Sequence, residues 1–279
     1  MIVLAFCETS RRDPEERAEK LERLKDILRE DKRILIAFSG GLDSSFLAKM
    51  AAEVLGDGAL FVTLDSEAMP RSELLEAKKI ARSLGLNHRI VSSRMLESED
   101  IANNPPDRCA LCKRADAKAL KRIAEEEGIE RIADGVNISD YDDYRPGIRA
   151  SDEEGLIHPL AEAGLAKPDI RGLAREMDLP FWDKPPMACL ASRIPYGERI
   201  TPDNLRMVEE AEEFLRGRGF RTVRVRVSGR TARIEVDDGD LEGILGMRQE
   251  VARELKRIGF LYICLDLEGY RTGSANEVL

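Results

Sequence analysis

Six consecutive residues, Ser39-Gly40-Gly41-Leu42-Asp43-Ser44, carry the first chemistry in this sequence. A turn without side chains at Gly40 and Gly41 lets backbone N–H groups approach an anion closely. A helix that starts at such a turn adds its unpaired first-turn amides and the positive end of its dipole. Ser39 and Ser44 can donate hydroxyl hydrogen bonds. The arrangement suits phosphate, yet it lacks the G-x-x-x-x-G-K-[ST] pattern of the usual γ-phosphate loop. Leu64-Asp65-Ser66 and Asp134-Gly135 end two other apolar runs. Asp65, Ser66 and Gly135 are therefore candidates for contacts to the nucleoside, with an ordinary strand-end turn as the alternative.

The second chemistry is sulfur. Five cysteines are an odd number, and two of them form Cys109-Ala110-Leu111-Cys112 at an expected helix start. In a reducing compartment this argues for metal or thiol chemistry over a disulfide framework. Cys189 lies far along the chain in Met187-Ala188-Cys189-Leu190-Ala191-Ser192-Arg193-Ile194-Pro195-Tyr196-Gly197. A lone C-x-x-C can be half a zinc site, a redox pair or nothing. Structural zinc wants four ligands, and His158 is a possible fourth or a packed turn residue. Three thiolates with no obvious fourth suit a 4Fe-4S cluster with one open iron. Cys264, in the apolar run Leu261 to Leu267, reads as a buried small residue. Cys7 carries no signal.

The third is a patch of arginine. Residues 216 to 233 hold seven arginines and no acid. In a strand from Thr222, Arg224 and Arg226 share one face and Val223, Val225 and Val227 the other. The pair suits forked contacts to a phosphate, or it belongs to a solvated outer face. Glu212 falls in the apolar stripe Leu205, Val208, Ala211, Leu215 of the preceding helix. A glutamate there is costly unless paired, and an arginine of the sheet is a candidate partner.

These residues need elements to position them. Strand-like apolar runs at Arg33–Phe38, Ala59–Leu64, His88–Val91 and Glu130–Asp134 alternate with helical patterns at Pro14–Arg29, Ser44–Leu55, Arg71–Leu84 and Asp107–Glu127. Alternation of this kind predicts an α/β fold with a doubly wound parallel sheet. Val136 to Gly155 reads as an irregular stretch. The segment Pro180 to Pro186 reads as a boundary. It gives expected domains of residues 1–184 and 185–279. The second has the rhythm of a small α+β domain, with helix Thr201–Arg218, strands Thr222–Val227 and Thr231–Val236, helix Leu241–Ile258 and strand Leu261–Leu267. The chain of 279 residues has a net charge of −9, which gives no general drive toward nucleic acid. No run approaches the ~20 apolar residues of a membrane span. The opening Ile2–Phe6 is too short for a signal peptide, so a cytoplasmic protein is expected.

Ser-Gly-Gly-Leu-Asp-Ser after a buried strand resembles the S-G-G-x-D-S loop of the ATP pyrophosphatase superfamily. The resemblance implies that Ser39, Gly40, Gly41, Asp43 and Ser44 hold ATP with Mg2+, that a substrate attacks the α-phosphate, and that pyrophosphate leaves an adenylate. A longer resemblance rests on Arg193-Ile194-Pro195-Tyr196-Gly197 after a cysteine, Asp143-Tyr144-Arg145-Pro146-Gly147, Arg224-Val225-Arg226, Ala232-Arg233-Ile234-Glu235 and Leu265-Asp266-Leu267-Glu268-Gly269-Tyr270-Arg271-Thr272-Gly273. In this order they resemble the LarE family, ATP-dependent sulfur transferases that make the nickel-pincer nucleotide cofactor. It covers nearly the whole chain from about Arg33.

That resemblance implies adenylation of a carboxylate on a small pyridinium dicarboxylate nucleotide and replacement of an oxygen by sulfur. It places Arg224 and Arg226 at a substrate phosphate and gives Glu212 a catalytic role near substrate and metal. In one branch the cysteine at Cys189 gives up its own sulfur and becomes dehydroalanine. In another, three cysteines hold a 4Fe-4S cluster, which here means Cys109, Cys112 and Cys189, with sulfide or another sulfur donor. The presence of Cys109 and Cys112 favours the second branch. A further acidic position of the family falls near Gly243 and is not matched. Homo-oligomers are expected. The main rival is tRNA thiolation with the same ATP and cluster chemistry, for which the chain carries no RNA-binding appendage. A non-catalytic nucleotide-binding or redox-sensing protein is the third reading.

Overall fold

The computed structural model describes residues 14–142, 146–185, 188–271, 273–274 and 277. Cys7, the opening 2–6, Asp143-Tyr144-Arg145, Pro186, Met187 and Thr272 lie outside them. The chain divides into two compact units that are not consecutive stretches. Unit 1 takes 1–65, 72–92 and 113–187; unit 2 takes 66–71, 93–112 and 188–279. A single cut after residue 184 does not anticipate the two inserted segments of unit 2.

Unit 1 is built on a parallel four-stranded sheet. Its strands are β1 (Ile34–Ala37), β2 (Ala59–Ser66), β3 (His88–Ser93) and β4 (Arg131–Ala133), in the order β3-β2-β1-β4. Central β1 carries Ile34, Leu35 and Ile36, all fully buried, because helices cover both faces of such a sheet. One face packs Ile34 and Ile36 with Phe46, Leu47, Met50 and Ala77. The other packs Leu35 with Leu60, Val62, Leu120 and Ile123. Parallel register sets Ala37 opposite Val62 of β2 and Ile36 opposite Ala133 of β4. The ends of β2 and β4 therefore stand beside the turn that follows β1. The stretch expected to be irregular is largely helical, with a 3-10 helix at Ile138–Asp142 and an α-helix at Pro146–Glu153.

Unit 2 holds β5 (Val223–Ser228), β6 (Thr231–Val236) and β7 (Tyr262–Leu265) in sequential order. β5 and β6 are antiparallel and β7 joins β6 in parallel. The helix Pro202–Gly217 lays Leu205, Val208, Ala211 and Leu215 against the sheet. Its start is fixed by a reciprocal cap: the Thr201 hydroxyl accepts from Asn204 N–H, and the Asn204 side chain accepts from Thr201 N–H. The expected long helix after Leu241 is two helices, Leu241–Gly246 and Arg248–Ile258. Cys264 is exposed and not buried. β7 is an edge strand on which Tyr262 and Cys264 face outward, so the apolar run 261–267 is only half covered. No helix among the described residues is long and apolar enough to cross a membrane.

Candidate active site

In unit 1 the turn after β1 is built as the sequence requires. Gly40 has φ +73, and a Cβ there would lie 2.7 Å from the Ala77 backbone. Only glycine satisfies both constraints. Helix Leu42–Leu55 begins at Gly41. Ser39 and Ser44 bridge the turn: their hydroxyls are 2.9 Å apart, and Ser39 N–H donates to the Ser44 hydroxyl at 3.2 Å. Gly135, just past β4, comes so close that a Cβ would stand 2.8 Å from Ser44 N. Asp65, the penultimate residue of β2, lies in unit 1, whereas Ser66, its last, belongs to unit 2, where its carbonyl accepts from Arg71 at 2.8 Å.

Three lysines not singled out by sequence patterns gather here, two on this turn and one on Asp134, the neighbour of Gly135. Lys167 Nζ is 3.1 Å from Asp43 Oδ2. Lys184 Nζ donates to the Gly40 carbonyl at 2.9 Å and pairs with Glu73 at 2.9 Å. Lys113 Nζ reaches Asp134 Oδ2 at 3.3 Å. Each is a single lysine on a different element, and only the fold collects them. Burial pushes the Asp43 carboxyl above its ordinary pKa against the pull of Lys167. Its Oδ1 is buried with no hydrogen-bond partner among the described residues.

Asp134 continues the network. Its Oδ1 accepts from Val136 N–H at 3.1 Å and meets His158 Nδ1 at 2.7 Å. His158 Nε2 meets Asp152 at 3.0 Å, so the imidazole bridges two carboxylates. Burial opposes charge on His158, but Asp134 and Asp152 raise its pKa above the usual value. Burial would likewise raise Asp134; the His158 hydrogen bond and Lys113 instead hold it below the carboxylate range. His158 is thus a packed, paired residue of unit 1, whereas the three cysteines belong to unit 2. A cleft of about 450 Å³ lined by Ile138, Tyr141, Asp152, Leu156 and His158 opens beside it.

Unit 2 brings two cysteine-bearing segments together. Ile200 N–H donates to Ala102 O at 2.7 Å, and Gly197 N–H to Asn104 O at 2.9 Å. Asn104, fully buried and in the left-handed region at φ 56, donates through Nδ2 to Ile194 O at 3.2 Å and Pro195 O at 2.7 Å. Residues 102–104, just before Cys109, are therefore clamped to 194–200, just after Cys189. Cys109 and Cys189 are exposed, Cys112 is half-buried, and none is in a disulfide. Among the described residues no three His, Cys, Asp or Glu side chains are grouped closely enough to hold a metal ion.

Arginines pin the backbone around Cys189. Arg193, fully buried, donates through Nη1 to Ala188 O at 2.9 Å and Cys189 O at 3.1 Å. Its Nε and Nη2 form a fork onto both oxygens of Glu212, at 2.8 and 3.0 Å. Glu212 also accepts from Val225 N–H at 3.1 Å and Arg216 at 2.5 Å. The glutamate that sits oddly in its helical stripe is thus paired, with an arginine of the Cys189 turn and not of the sheet. Arg226 donates to Ser192 O at 2.9 Å while forking onto Glu235.

Arg224 is only 8% exposed, so it does not lie on a solvated outer face. Its Nη1 donates to Val223 O at 2.9 Å, and its guanidinium lies 5.2 Å from the Tyr270 ring centre. No carboxylate among the described residues pairs with it. Burial, and then nearby Arg193, lower its pKa. A buried guanidinium without a carboxylate is a ready anion site.

Residues 21–112 match the asparagine synthase family model. An uncharacterized protein of Synechocystis is 40% identical over 93% of this chain and 98% of its own length. The pyridinium-3,5-bisthiocarboxylic acid mononucleotide synthase of Lactiplantibacillus plantarum is 38% identical over 94% of this chain and 95% of its own. An uncharacterized protein of Methanocaldococcus jannaschii is 32% identical over 91% of this chain and 98% of its own.

Proposed function

Because the chain belongs to the LarE family of pyridinium-3,5-bisthiocarboxylic acid mononucleotide synthases, we propose that it adenylates a carboxylate of a small pyridinium nucleotide and exchanges one carboxylate oxygen for sulfur in nickel-pincer cofactor synthesis. ATP use follows from the family. The observation that carries the site assignment is the turn after β1. Its glycines admit backbone amides to the phosphates, Ser39 and Ser44 add hydroxyls, and Lys113, Lys167 and Lys184 supply charge nearby. Gly135 and Asp65 border the nucleoside; Ser66 is assigned there on its position at the end of β2. The unpartnered Oδ1 of Asp43 suits a Mg2+ ion carried in with the phosphates, since a hard cation takes carboxylate oxygen.

The chemistry balances as two displacements. A substrate carboxylate oxygen attacks the α-phosphorus, the bond to the bridging oxygen breaks, and pyrophosphate leaves with the electron pair. Sulfide then adds to the activated carbonyl carbon. AMP leaves with the former carboxylate oxygen, and a thiocarboxylate remains. In this reading Arg224 and Arg226 bind the substrate phosphate. Glu212 acts through Arg193, which holds the Cys189 turn.

For the sulfur source the reading is a 4Fe-4S cluster held by Cys109, Cys112 and Cys189. The support is chemical: three thiols of one unit, outside any disulfide, lie on two segments clamped together, while the structure does not gather them into a metal-binding group among the described residues. When bound, such a cluster supplies an iron open to sulfide. The chain's own part is to fix two cysteines one helical turn apart and to hold the third by its backbone. The exposed Cys189 thiol also suits the second reading, in which that residue gives up its sulfur. Anaerobic protein with Mg-ATP, substrate and sulfide is expected to yield AMP and pyrophosphate over repeated turnovers, with iron and sulfide present and Cys189 intact by mass spectrometry. ADP and phosphate would overturn the ATP chemistry. A loss of about 34 Da at Cys189, the mass of hydrogen sulfide, would replace the cluster by sacrifice.

A further inference from the structure

Arg108 is 3% exposed and begins the helix that carries Cys109 and Cys112. Two arginines of unit 2 are matched by carboxylates, buried Arg193 by Glu212 and half-buried Arg226 by Glu235. Arg108, like Arg224, has no Asp or Glu among the described residues paired with it, and it is the one of the two that stands beside a cysteine. Its Nη1 donates to Asn104 Oδ1 and, at 3.2 Å, to Ala191 O. Its guanidinium lies 5.4 Å from the Tyr196 ring centre. Its Nη2 is 4.0 Å from Cys109 Sγ. Neutral carbonyls orient a buried cation but do not cancel its charge, and an uncompensated buried charge is strongly unfavourable. Among the three acceptors that its Nη atoms reach, only the sulfur can become an anion.

The contacts also make Arg108 a strut. One arm touches the segment two residues beyond Cys189, the other the sulfur of Cys109. Asn104 supports it from a left-handed backbone position, which asparagine tolerates better than most non-glycine residues. We propose that Arg108 is a positioning residue and the built-in counter-charge of an anionic sulfur site formed at Cys109 and Cys189. This assignment rests on the cysteine site proposed above. The ligand class is anionic sulfur: thiolate, sulfide, or a cluster of net negative charge.

The test uses the full-length metal-free protein and two alkylating reagents of equal reach, neutral iodoacetamide and anionic iodoacetate. At one pH their rate ratio at a given cysteine cancels the thiolate fraction and reads local positive charge. Exposed Cys264 is the internal control in the same chain. Arg108→Met is expected to lower the iodoacetate preference at Cys109 by up to about fivefold, the Coulomb effect of one charge at 4 Å in water. Arg108→Lys is expected to keep it. In anaerobically reconstituted protein, Arg108→Met is expected to bind less iron and to move the midpoint potential of the remaining cluster to more negative values. A purely structural arginine would lower occupancy without shifting that potential. Should Arg108→Met fail to fold, Arg108→Gln makes the same comparison. An unchanged ratio at Cys109 in the neutral variant overturns the assignment. A ratio that falls in protein unable to assemble any cluster supports it, and the cluster reading fails instead.

Discussion

Replacing Glu212 by alanine removes an acceptor from four donors at once. Arg193 loses both prongs of its fork, at 2.8 and 3.0 Å, and Val225 N–H and Arg216 lose their shared partner. Arg216 is part-exposed and can turn to water. Arg193 and Glu212 are both 0% exposed, so the guanidinium stays buried without its counter-ion. Breaking such a pair from one side costs about 3–5 kcal/mol. With a urea m-value of about 1–3 kcal/mol/M, the unfolding midpoint should fall by about 1 M or more. Replacing both partners by apolar side chains of similar length removes the unpaired charge as well. The double variant Arg193→Met/Glu212→Leu should therefore recover more than half of the loss, a coupling that additive single effects cannot produce. The assay is urea unfolding followed by circular dichroism on wild type, both single variants and the double. A Glu212→Ala midpoint within about 0.3 M of wild type would refute the reasoning, because that shift corresponds to less than about 1 kcal/mol.

Other perturbations probe separate parts of the site. Gly135→Ala places a Cβ 2.8 Å from Ser44 N and should raise the ATP dissociation constant at least tenfold by calorimetry, while the circular dichroism spectrum stays unchanged. Arg224→Met removes a buried cation that lacks a carboxylate, so the substrate KM should rise at least tenfold with no loss of stability; unfolding of the variant would make the arginine structural. His158→Gln should destabilise the protein most between about pH 4 and 6.5. The raised His158 pKa gives a contribution that is complete below the unfolded value and lost as pH rises through the folded one, while the lowered Asp134 pKa gives one present above its unfolded value and lost as pH falls. Stability measured across pH checks this, and an effect largest in alkaline solution would contradict it.

What the sequence reveals depends on how local each device is. The turn at Ser39–Ser44 is legible because its glycines, hydroxyls and helix start are contiguous. Glu212 is legible as a misfit in an apolar stripe, but its partner Arg193 sits in another segment and has no periodic signature. The lysines at 113, 167 and 184 are invisible for the same reason: each resembles any surface lysine until β1, β4 and the helix Lys167–Glu176 pack. The Cys264 expectation fails because hydropathy cannot tell an edge strand from a central one. The arginine pair at 224 and 226 shows the strand alternation correctly, yet alternation does not say that the polar face would itself be covered. Asn104 and Arg108 precede the C-x-x-C without any pattern of their own; their roles emerge only when residues 191–200 close on them.

The interleaving of the two units sets a timetable for synthesis. Segments 66–71 and 93–112 leave the ribosome well before the residues from 188 onward that complete their unit. At about 5–20 residues per second, the stretch from residue 112 to residue 188 alone takes roughly 4–15 s. During that interval the first sheet can close around β1, while Ala68, Met95 and Leu96 wait for a core that has not been made. The cysteine pair at 109 and 112 is born early and its third member late. A gene cut after residue 185 would therefore leave two orphaned apolar segments tethered to the nucleotide-binding sheet, and a freestanding domain would require replacing them with new loops.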